Sequence, residues 1–204
     1  MVSDFLVIGG GIIGICVARE LKRRYADAEV TLIEKEKSCA QHASGRNSGV
    51  LHAGFYYTAD SLKARFTRDG NAQLSEYCET RHILMNKCGK LVVAQNEADH
   101  ALLDELLRRG RSNGVKLEEV DEDAMREIEP RALTYGRAIF SPTTSSVNPE
   151  VVVRSMEKEA KHEGVSIHYG VSYLDRNEQG IRTSAGTYSA GYVVNAAGLY
   201  ADHI

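Results

Sequence analysis

The stretch Phe5-Leu-Val-Ile-Gly-Gly-Gly-Ile-Ile-Gly14 decides the fold, because an apolar strand runs directly into closely spaced glycines and then into a helix. Gly9 is expected to permit a tight turn, Gly11 to let the backbone approach a pyrophosphate, and Gly14 to let the helix pack closely on the strand. The helix predicted over 12–25 then points its N-terminal amides at the phosphates. The stretch predicts a dinucleotide cradle.

A second predicted strand, 30–33, completes the βαβ unit. It ends in Glu34, at the position where such units place a carboxylate against a ribose hydroxyl. An acid there repels the 2′-phosphate of NADP, so the residues leave FAD and NAD as the two candidate ligands. A glycine-rich turn that binds nothing is the competing interpretation, and the complete strand, turn, helix, strand and acid order argues against it.

Composition is that of a globular protein with an ample core. The chain has 204 residues, 43% of them apolar, and a net charge of −3, which gives no reason to expect nucleic acid as a partner. The sequence contains no apolar run of about eighteen residues, so no transmembrane helix is expected. Asp4 precedes the short apolar run at the N-terminus, so no signal peptide is expected. The default location is the cytoplasm, with any membrane contact peripheral.

The cysteines are expected to be free thiols. None of them forms a Cys-x-x-Cys pair or a metal-ligand spacing with another; they are Cys16, Cys39, Cys78 and Cys88. The sequence therefore predicts neither a redox-active disulfide nor a metal site.

The order of elements predicts two interleaved domains. A helix is predicted over 61–81, and its apolar side is expected to carry Leu62, Phe66, Leu74 and Tyr77. A second helix begins at Asn148-Pro149, and the short strands after it return the chain to the first domain. We therefore expect a discontinuous nucleotide-binding domain over 1–85 and 148–204, and part of a substrate domain over 86–147.

A second chemical pattern spans 44–57. Its small residues would let backbone approach a planar ring, and Asn47 and Ser48 offer hydrogen bonds to that ring. An ordinary surface loop rich in glycine and serine is the competing interpretation. His52 is the histidine placed in this pattern, whereas the other six, including His42, are expected to be solvated.

Several segments together resemble the D-amino-acid-oxidase superfamily of flavoproteins, and within it the L-2-hydroxyglutarate dehydrogenase group. The matching segments occur in the same order and cover essentially the whole chain; they are Gly9–Gly14 with Glu34–Glu36, Asn47–Tyr57, Ser61–Arg65, Cys88–Ala94 and Asn195–Asp202. The resemblance implies an α/β fold, in which a Rossmann-like FAD-binding domain of the glutathione-reductase kind is interleaved with part of an α+β substrate domain.

The resemblance also implies that FAD, and not NAD, is the cofactor. On this basis Glu34 holds the adenosine ribose, Lys35 flanks the adenine, and the backbone near Ser172 and Tyr173 edges it. The full set of cofactor residues that it implies is Gly9, Gly11, Ile12, Ile13, Gly14, Glu34, Lys35, Ser44, Arg46, Asn47, Ser48, Gly49, Tyr173, Ala197 and Gly198.

The implied reaction is the oxidation of a 2-hydroxy acid, L-2-hydroxyglutarate, to 2-oxoglutarate, with oxygen or a quinone as electron acceptor. His52 is the candidate base, because a neutral imidazole suits proton removal near pH 7. A covalent tether to the flavin and a simple hydrogen bond to it are the competing roles for His52. Tyr57 is the second catalytic candidate, and the cationic substrate anchors are Arg46, Arg65 and Lys63.

Two departures from the family pattern bear on these expectations. Arg46 stands where the family usually has histidine, which leaves the exact substrate open. Members of the superfamily are also much longer, so the chain is expected to correspond to an N-terminal half. An FAD-dependent amine or amino-acid oxidase and a catalytically inert flavin-binding fragment are the two alternative functions.

Overall fold

A computed structural model describes all residues 1–204. Its α-helices are α1 (Ile12–Arg24), α2 (Leu62–Thr80), α3 (His100–Ser112), α4 (Glu122–Ile128) and α5 (Pro149–His162). Short 3₁₀ helices cover Glu97–Asp99 and Gly198–His203. None of the helices combines the length and the apolarity that crossing a membrane requires.

The β-strands form three sheets, and most are short. They are β1 (Val2–Ile8), β2 (Val30–Glu34), β3 (Val50–Leu51), β4 (Met85–Asn86), β5 (Lys90–Val93), β6 (Glu118–Asp121), β7 (Arg137–Ser141), β8 (Ser145–Val147), β9 (Ser166–Tyr169), β10 (Tyr173–Asn177), β11 (Gly180–Thr183) and β12 (Gly186–Asn195). The predicted strand, helix and strand at the N-terminus agree with β1, α1 and β2. The sequence did not predict β3, β4 and β8, because two or three residues are too few to show a period.

The chain divides into two compact units. The first comprises 1–47 and 149–204, and the second comprises 48–148. The predicted boundary after residue 85 therefore lies elsewhere, since 48–85 belong to the second unit. Local pairing explains the difference: β3 bonds to β8, and the Asn71 side chain of α2 donates to the carbonyls of Leu51 and Thr143. The assignment of a cofactor role to one unit and a substrate role to the other stays a prediction.

The first unit is built on a six-stranded sheet in the order β10-β11-β12-β1-β2-β9. The strands β12, β1, β2 and β9 are parallel, and β10 and β11 extend the sheet by antiparallel pairing. All five residues of β2 are buried, as is the end of β1, and central parallel strands covered on both faces give such continuous apolar runs. The predicted α/β Rossmann-like fold is confirmed.

Helices cover one face of this sheet. Val7 and Leu32 of the sheet pack with Ile15 of α1 and Val153 of α5. On the other face Leu6, Ile33, Ile181 and Tyr188 form a separate core. The sheet therefore has an apolar layer on each side.

A buried arginine joins α1 to α5 within the first unit. Arg19 is 7% exposed, and its guanidinium contacts Glu159 at 2.5 Å and Glu163 at 2.9 Å. Arg23 on the next turn contacts Glu163 at 2.8 Å. The Arg19 hydrogen bond is the main reason that the pKa of Glu163 lies below its ordinary value. The two helices are thus held together by charge as well as by apolar packing.

The second unit contains two three-stranded antiparallel sheets, β3-β8-β4 and β5-β7-β6. Its core forms where α3 packs against the sheet β5-β7-β6 and against the segment after β3. It contains Phe55, Leu103, Leu106 and Ile139. Helix α2 matches the predicted helix in extent. The predicted apolar side was wrong at its start, because Leu62 and Phe66 are 62% and 61% exposed. Its buried residues are Ala64 and Cys78.

All four cysteines are free, as predicted. Cys39 is buried beneath the glycine turn, and burial raises the pKa of its thiol to about 12. It therefore stays protonated at neutral pH and acts as a small apolar side chain.

Candidate functional site

The glycine turn after β1 is shaped by two close backbone contacts. Gly9 has φ of +112°, and a Cβ on it would lie 2.4 Å from the carbonyl oxygen of Ala196. A Cβ on Gly14 would lie 1.9 Å from the carbonyl oxygen of Gly9. No side chain fits in either place, so both glycines are needed to bring β1, β12 and α1 together.

Gly11 differs from these two glycines. Its φ of −75° and ψ of 172° are open to any residue, and a Cβ on it would meet only the Ser44 hydroxyl oxygen, at 3.2 Å. The fold itself does not demand glycine here. Gly11 lines a cavity of about 280 Å³ in the first unit, so its missing side chain leaves room for a ligand.

The Ser44 side chain lies beside the N-terminus of α1 and contacts the first amide of that helix. The Ile12 amide donates to the Ser44 hydroxyl oxygen at 3.0 Å. Because a hydroxyl can accept and donate at once, the Ser44 proton remains available for an anion in the cavity. Gly11 and Ser44 together form a polar, uncrowded wall at a helix N-terminus, which suits phosphate oxygens.

Glu34 ends β2 with its side chain held in place. The carboxylate is 8% exposed and accepts from the Gly10 amide at 2.6 Å and from the Glu36 amide at 2.9 Å. Each carboxylate oxygen has a further lone pair, so Glu34 can accept from a ribose hydroxyl while keeping both bonds. The carboxylate also lines the cavity beside Gly11.

The cavity gathers most of the predicted cofactor residues. Those that line it are Gly9, Gly11, Ile13, Glu34, Lys35, Ser44, Tyr173, Ala197 and Gly198. The predicted residues outside its lining are Ile12, Gly14, Arg46, Asn47, Ser48 and Gly49. Of these last, Ser48 and Gly49 belong to the second unit. The cofactor roles of all these residues stay predictions.

A charged cluster borders the same cavity at Lys35. The Lys35 ammonium pairs with Glu36 and lies 4.7 Å from the centroid of the Tyr200 ring. His42 places its Nε2 2.9 Å from the same Glu36 carboxylate. The Lys35 hydrogen bond, followed by that of His42, lowers the pKa of Glu36 to about 2. The sequence placed His42 among the solvated histidines; it is exposed but lines the cavity.

Two predicted cofactor residues in the loop before β3 lie outside the cavity lining. Arg46 is exposed, and the Asn47 amide group donates to the carbonyls of Ala43 and Ser44 at 3.0 and 3.1 Å. Asn47 thus stabilises its own loop. No pattern in the sequence distinguishes this role from a hydrogen bond to a ring.

His52 lies in the second unit, directly after β3. Its side chain is exposed and makes no hydrogen bond, while its neighbours Ala53 and Phe55 are buried in the core. Partial burial and then the charge of Lys90 lower the pKa of His52 below its ordinary value. The imidazole is therefore neutral at pH 7, as a general base must be.

Tyr57 and Lys63, predicted as separate candidates, meet in the second unit. The Lys63 ammonium lies 4.5 Å from the centroid of the Tyr57 ring. Arg65 is exposed and lies over the neighbouring Phe66 ring at 4.9 Å. The structure thus pairs Tyr57 with one of the predicted cations and leaves Arg65 on the helix surface.

Arg109 of α3 and Asn113, the residue that follows α3, hold the segment 54–57, which carries Tyr57. Asn113 is 5% exposed and donates to the carbonyls of Gly54 and Tyr57 at 3.1 and 3.0 Å. Arg109 donates to the Tyr56 carbonyl at 2.9 Å. Sequence reasoning missed both, because an asparagine before a glycine predicts only a helix end. Their hydrogen bonds give residues 54–57 a fixed conformation.

Known proteins match this chain in sequence over nearly its whole length. It is 39% identical to L-2-hydroxyglutarate dehydrogenase of Escherichia coli strain K12 and 34% identical to the mitochondrial L-2-hydroxyglutarate dehydrogenase of Homo sapiens. Each match covers 98% of this chain, and 49% and 47% of the relative respectively. The chain spans about half the length of these relatives.

Solved structures share the fold. L-α-glycerophosphate oxidase of Mycoplasma pneumoniae has a TM-score of 0.87 at 24% identity, covering 100% of this chain and 56% of the other. Glycine oxidase of Geobacillus kaustophilus has a TM-score of 0.86 at 23% identity, covering 98% and 56%. The family model for FAD dependent oxidoreductases matches residues 4–204, and the chain therefore belongs to that family.

Proposed function

We propose that this chain serves the FAD-dependent oxidation of a 2-hydroxy acid, L-2-hydroxyglutarate, to 2-oxoglutarate. The observation that carries the proposal is its 39% identity, over 98% of its length, to the Escherichia coli L-2-hydroxyglutarate dehydrogenase. Family membership supports the cofactor and the reaction class. The relatives' name supports the substrate.

The residues of the cavity fit FAD. Gly11 leaves space where a side chain would project, and the Ser44 hydroxyl can donate to a diphosphate oxygen. Glu34 would accept from the adenosine ribose, and its buried carboxylate disfavours a phosphorylated ribose at that place. Lys35 and Tyr200 would flank the adenine.

His52 is proposed to remove the hydroxyl proton of the substrate. FAD, when bound, supplies the two-electron acceptor for the hydride that leaves the substrate carbon. The lowered pKa of His52 keeps its imidazole free of a proton at pH 7, and the exposed ring has no hydrogen bond to give up. His52 would then hold the proton as imidazolium until solvent removes it. Tyr57 is proposed to orient the hydroxyl.

The cationic anchors are proposed among the predicted residues. Lys63 is held against Tyr57, which places a positive charge beside the proposed catalytic tyrosine. Arg65 and Arg46 are exposed, and their guanidinium groups are suited to bidentate binding of a carboxylate. Lys63 is the strongest of the three, because its contact with Tyr57 already restricts it.

Anaerobic reduction of the bound flavin tests the proposal. The purified chain is loaded with FAD, and its visible absorbance is followed after addition of L-2-hydroxyglutarate, glycine or sarcosine. We expect L-2-hydroxyglutarate alone to bleach the flavin. Bleaching by glycine or sarcosine instead would assign an amine substrate, and a flavin that all three leave oxidised would contradict the proposal for this chain.

A further inference from the structure

Lys90 is the half-buried lysine of the second unit, and its ammonium has no anionic partner. Its side chain makes no hydrogen bond or ion pair, and its ammonium lies 4.5 Å from the centroid of the Tyr56 ring. Lys63 also lacks an ion pair but is exposed. Four other lysines of the chain pair with carboxylates: Lys35, Lys87, Lys116 and Lys161. A half-buried ammonium without an anion is a candidate for binding one.

The backbone fixes where Lys90 lies. Gly89 before it has φ of +71°, and a Cβ on Gly89 would lie 2.3 Å from the Phe140 ring, so only glycine lets the chain pass there. Side chains alternate along β5, which puts Lys90 on the same face as Val92. Val92 packs against the core that contains Phe55. Lys90 is therefore directed toward the segment that carries His52.

Lys90 lies beside the segment that carries His52, because its ammonium faces the ring of Tyr56, four residues after His52. The charge of Lys90 adds to partial burial in lowering the pKa of His52. Tyr56, whose ring faces the ammonium, has its carbonyl held by Arg109 at 2.9 Å. A half-buried cation and a neutral imidazole thus lie at the same short segment of the second unit, residues 52–56.

The chemistry of a 2-hydroxy acid requires such a pair. Its C1 carboxylate is bonded to the carbon that bears the hydroxyl, so a group that binds the carboxylate must lie close to the base that takes the hydroxyl proton. We propose that Lys90 binds the C1 carboxylate of the 2-hydroxy acid beside His52, an inference that rests on the function proposed above. The bound carboxylate neutralises the ammonium, so His52 becomes more basic as the substrate arrives.

The test follows the imidazole of His52 by NMR during titration with L-2-hydroxyglutarate, with the signal assigned from a His52→Gln variant. In the unchanged chain the signal should shift saturably, and the pKa of His52 should rise on binding. Lys90→Met should raise the pKa of His52 in the free chain and weaken binding about tenfold or more. Lys90→Arg, which keeps the charge, should retain binding.

Lys87→Met is the matched control. Lys87 is exposed, precedes Lys90 by three residues and pairs with Glu79, so its loss should leave binding and the pKa of His52 unchanged. Equal affinity of the unchanged chain and Lys90→Met, or no binding by the unchanged chain, would overturn the inference. A dispersed spectrum of Lys90→Met confirms that this variant is folded.

Flavin reduction separates this inference from the function on which it rests. If L-2-hydroxyglutarate reduces the flavin of the unchanged chain and of Lys90→Met with the same KM, the reaction holds and the Lys90 site is contradicted. If Lys90→Met loses affinity but L-2-hydroxyglutarate leaves the flavin oxidised in the unchanged chain, the carboxylate site holds and the reaction is contradicted.

Discussion

Single glycines in the turn after β1 serve different needs, and their surroundings distinguish them. Gly9 and Gly14 are required by the protein itself, because backbone atoms occupy the space of a side chain. Gly11 has an ordinary conformation and open space beside it. Mutation should therefore damage folding at the first two positions and ligand binding at the third.

Gly14→Ala should destabilise the folded chain. The added Cβ would lie 1.9 Å from the carbonyl oxygen of Gly9, and a backbone carbonyl at the end of β1 cannot move aside without disturbing the sheet. We expect a loss of about 3 kcal/mol in the free energy of unfolding, the upper end for an overpacked core. Urea denaturation measures it. Gly70→Ala in α2, where nothing lies near the added Cβ, should be neutral or slightly stabilising.

His52 gives a prediction on pH. The pKa of His52 is lowered, and a general base acts only in its unprotonated form, so flavin reduction should be fully active at pH 7. The rate should fall as the pH drops through a value below 6.5, the ordinary pKa of histidine. His52→Gln should slow reduction by about 10²–10⁴-fold and remove this dependence. Stopped-flow absorbance across pH measures both, and an unchanged rate in the variant would contradict the role.

At the scale of elements, the pair of helices α1 and α5 depends on one buried arginine. Arg19→Met should lower the free energy of unfolding by about 1.5–3 kcal/mol at pH 7, because it removes charge-assisted bonds to Glu159 and Glu163. Arg24→Met is the matched control. Its exposed pair with Glu20 should contribute under about 0.5 kcal/mol.

The effect of Arg19→Met should also depend on pH in a defined direction. The folded-state pKa of Glu163 lies below 4.5, its value without the partner, so its stabilisation is complete above pH 4.5 and is lost as the pH falls through the folded-state pKa. The denaturation curves of the unchanged chain and of Arg19→Met should therefore differ at pH 7 and converge in acid. A difference that grows in acid would contradict the ion pair.

At the scale of the whole molecule, the sequence predicted the long periodic elements. It did not predict the contacts between residues that lie far apart along the chain. The glycine turn, α1 and the buried strands have strong local patterns, so their fold was readable. The domain boundary was not, because β3 and β8 are two and three residues long and pair over almost a hundred positions. The roles of Asn113 and Lys90 likewise depend on partners distant in sequence.

Part of the cavity lining was predictable from the sequence, whereas the cofactor and catalytic roles of these residues stay predictions. Residues near the glycine turn, such as Glu34 and Ser44, line one cavity because strand order places them there. His42 was missed as a cavity residue because a polar loop has no period from which its direction could be read. Arg46 and Asn47 are exposed in that loop, and no local pattern predicted that the Asn47 amide group donates to carbonyls of its own loop.

FAD binding tests the central claim most directly, by titrating FAD into the chain and into Gly11→Val in a calorimeter. The extended conformation of Gly11 accepts valine, so this variant should fold while its side chain fills the cavity. Gly70→Val controls for the substitution itself. We predict saturable binding by the unchanged chain and by Gly70→Val, and loss of binding by folded Gly11→Val. An unchanged chain that does not bind FAD, or a Gly11→Val variant that binds it equally well, would contradict the account.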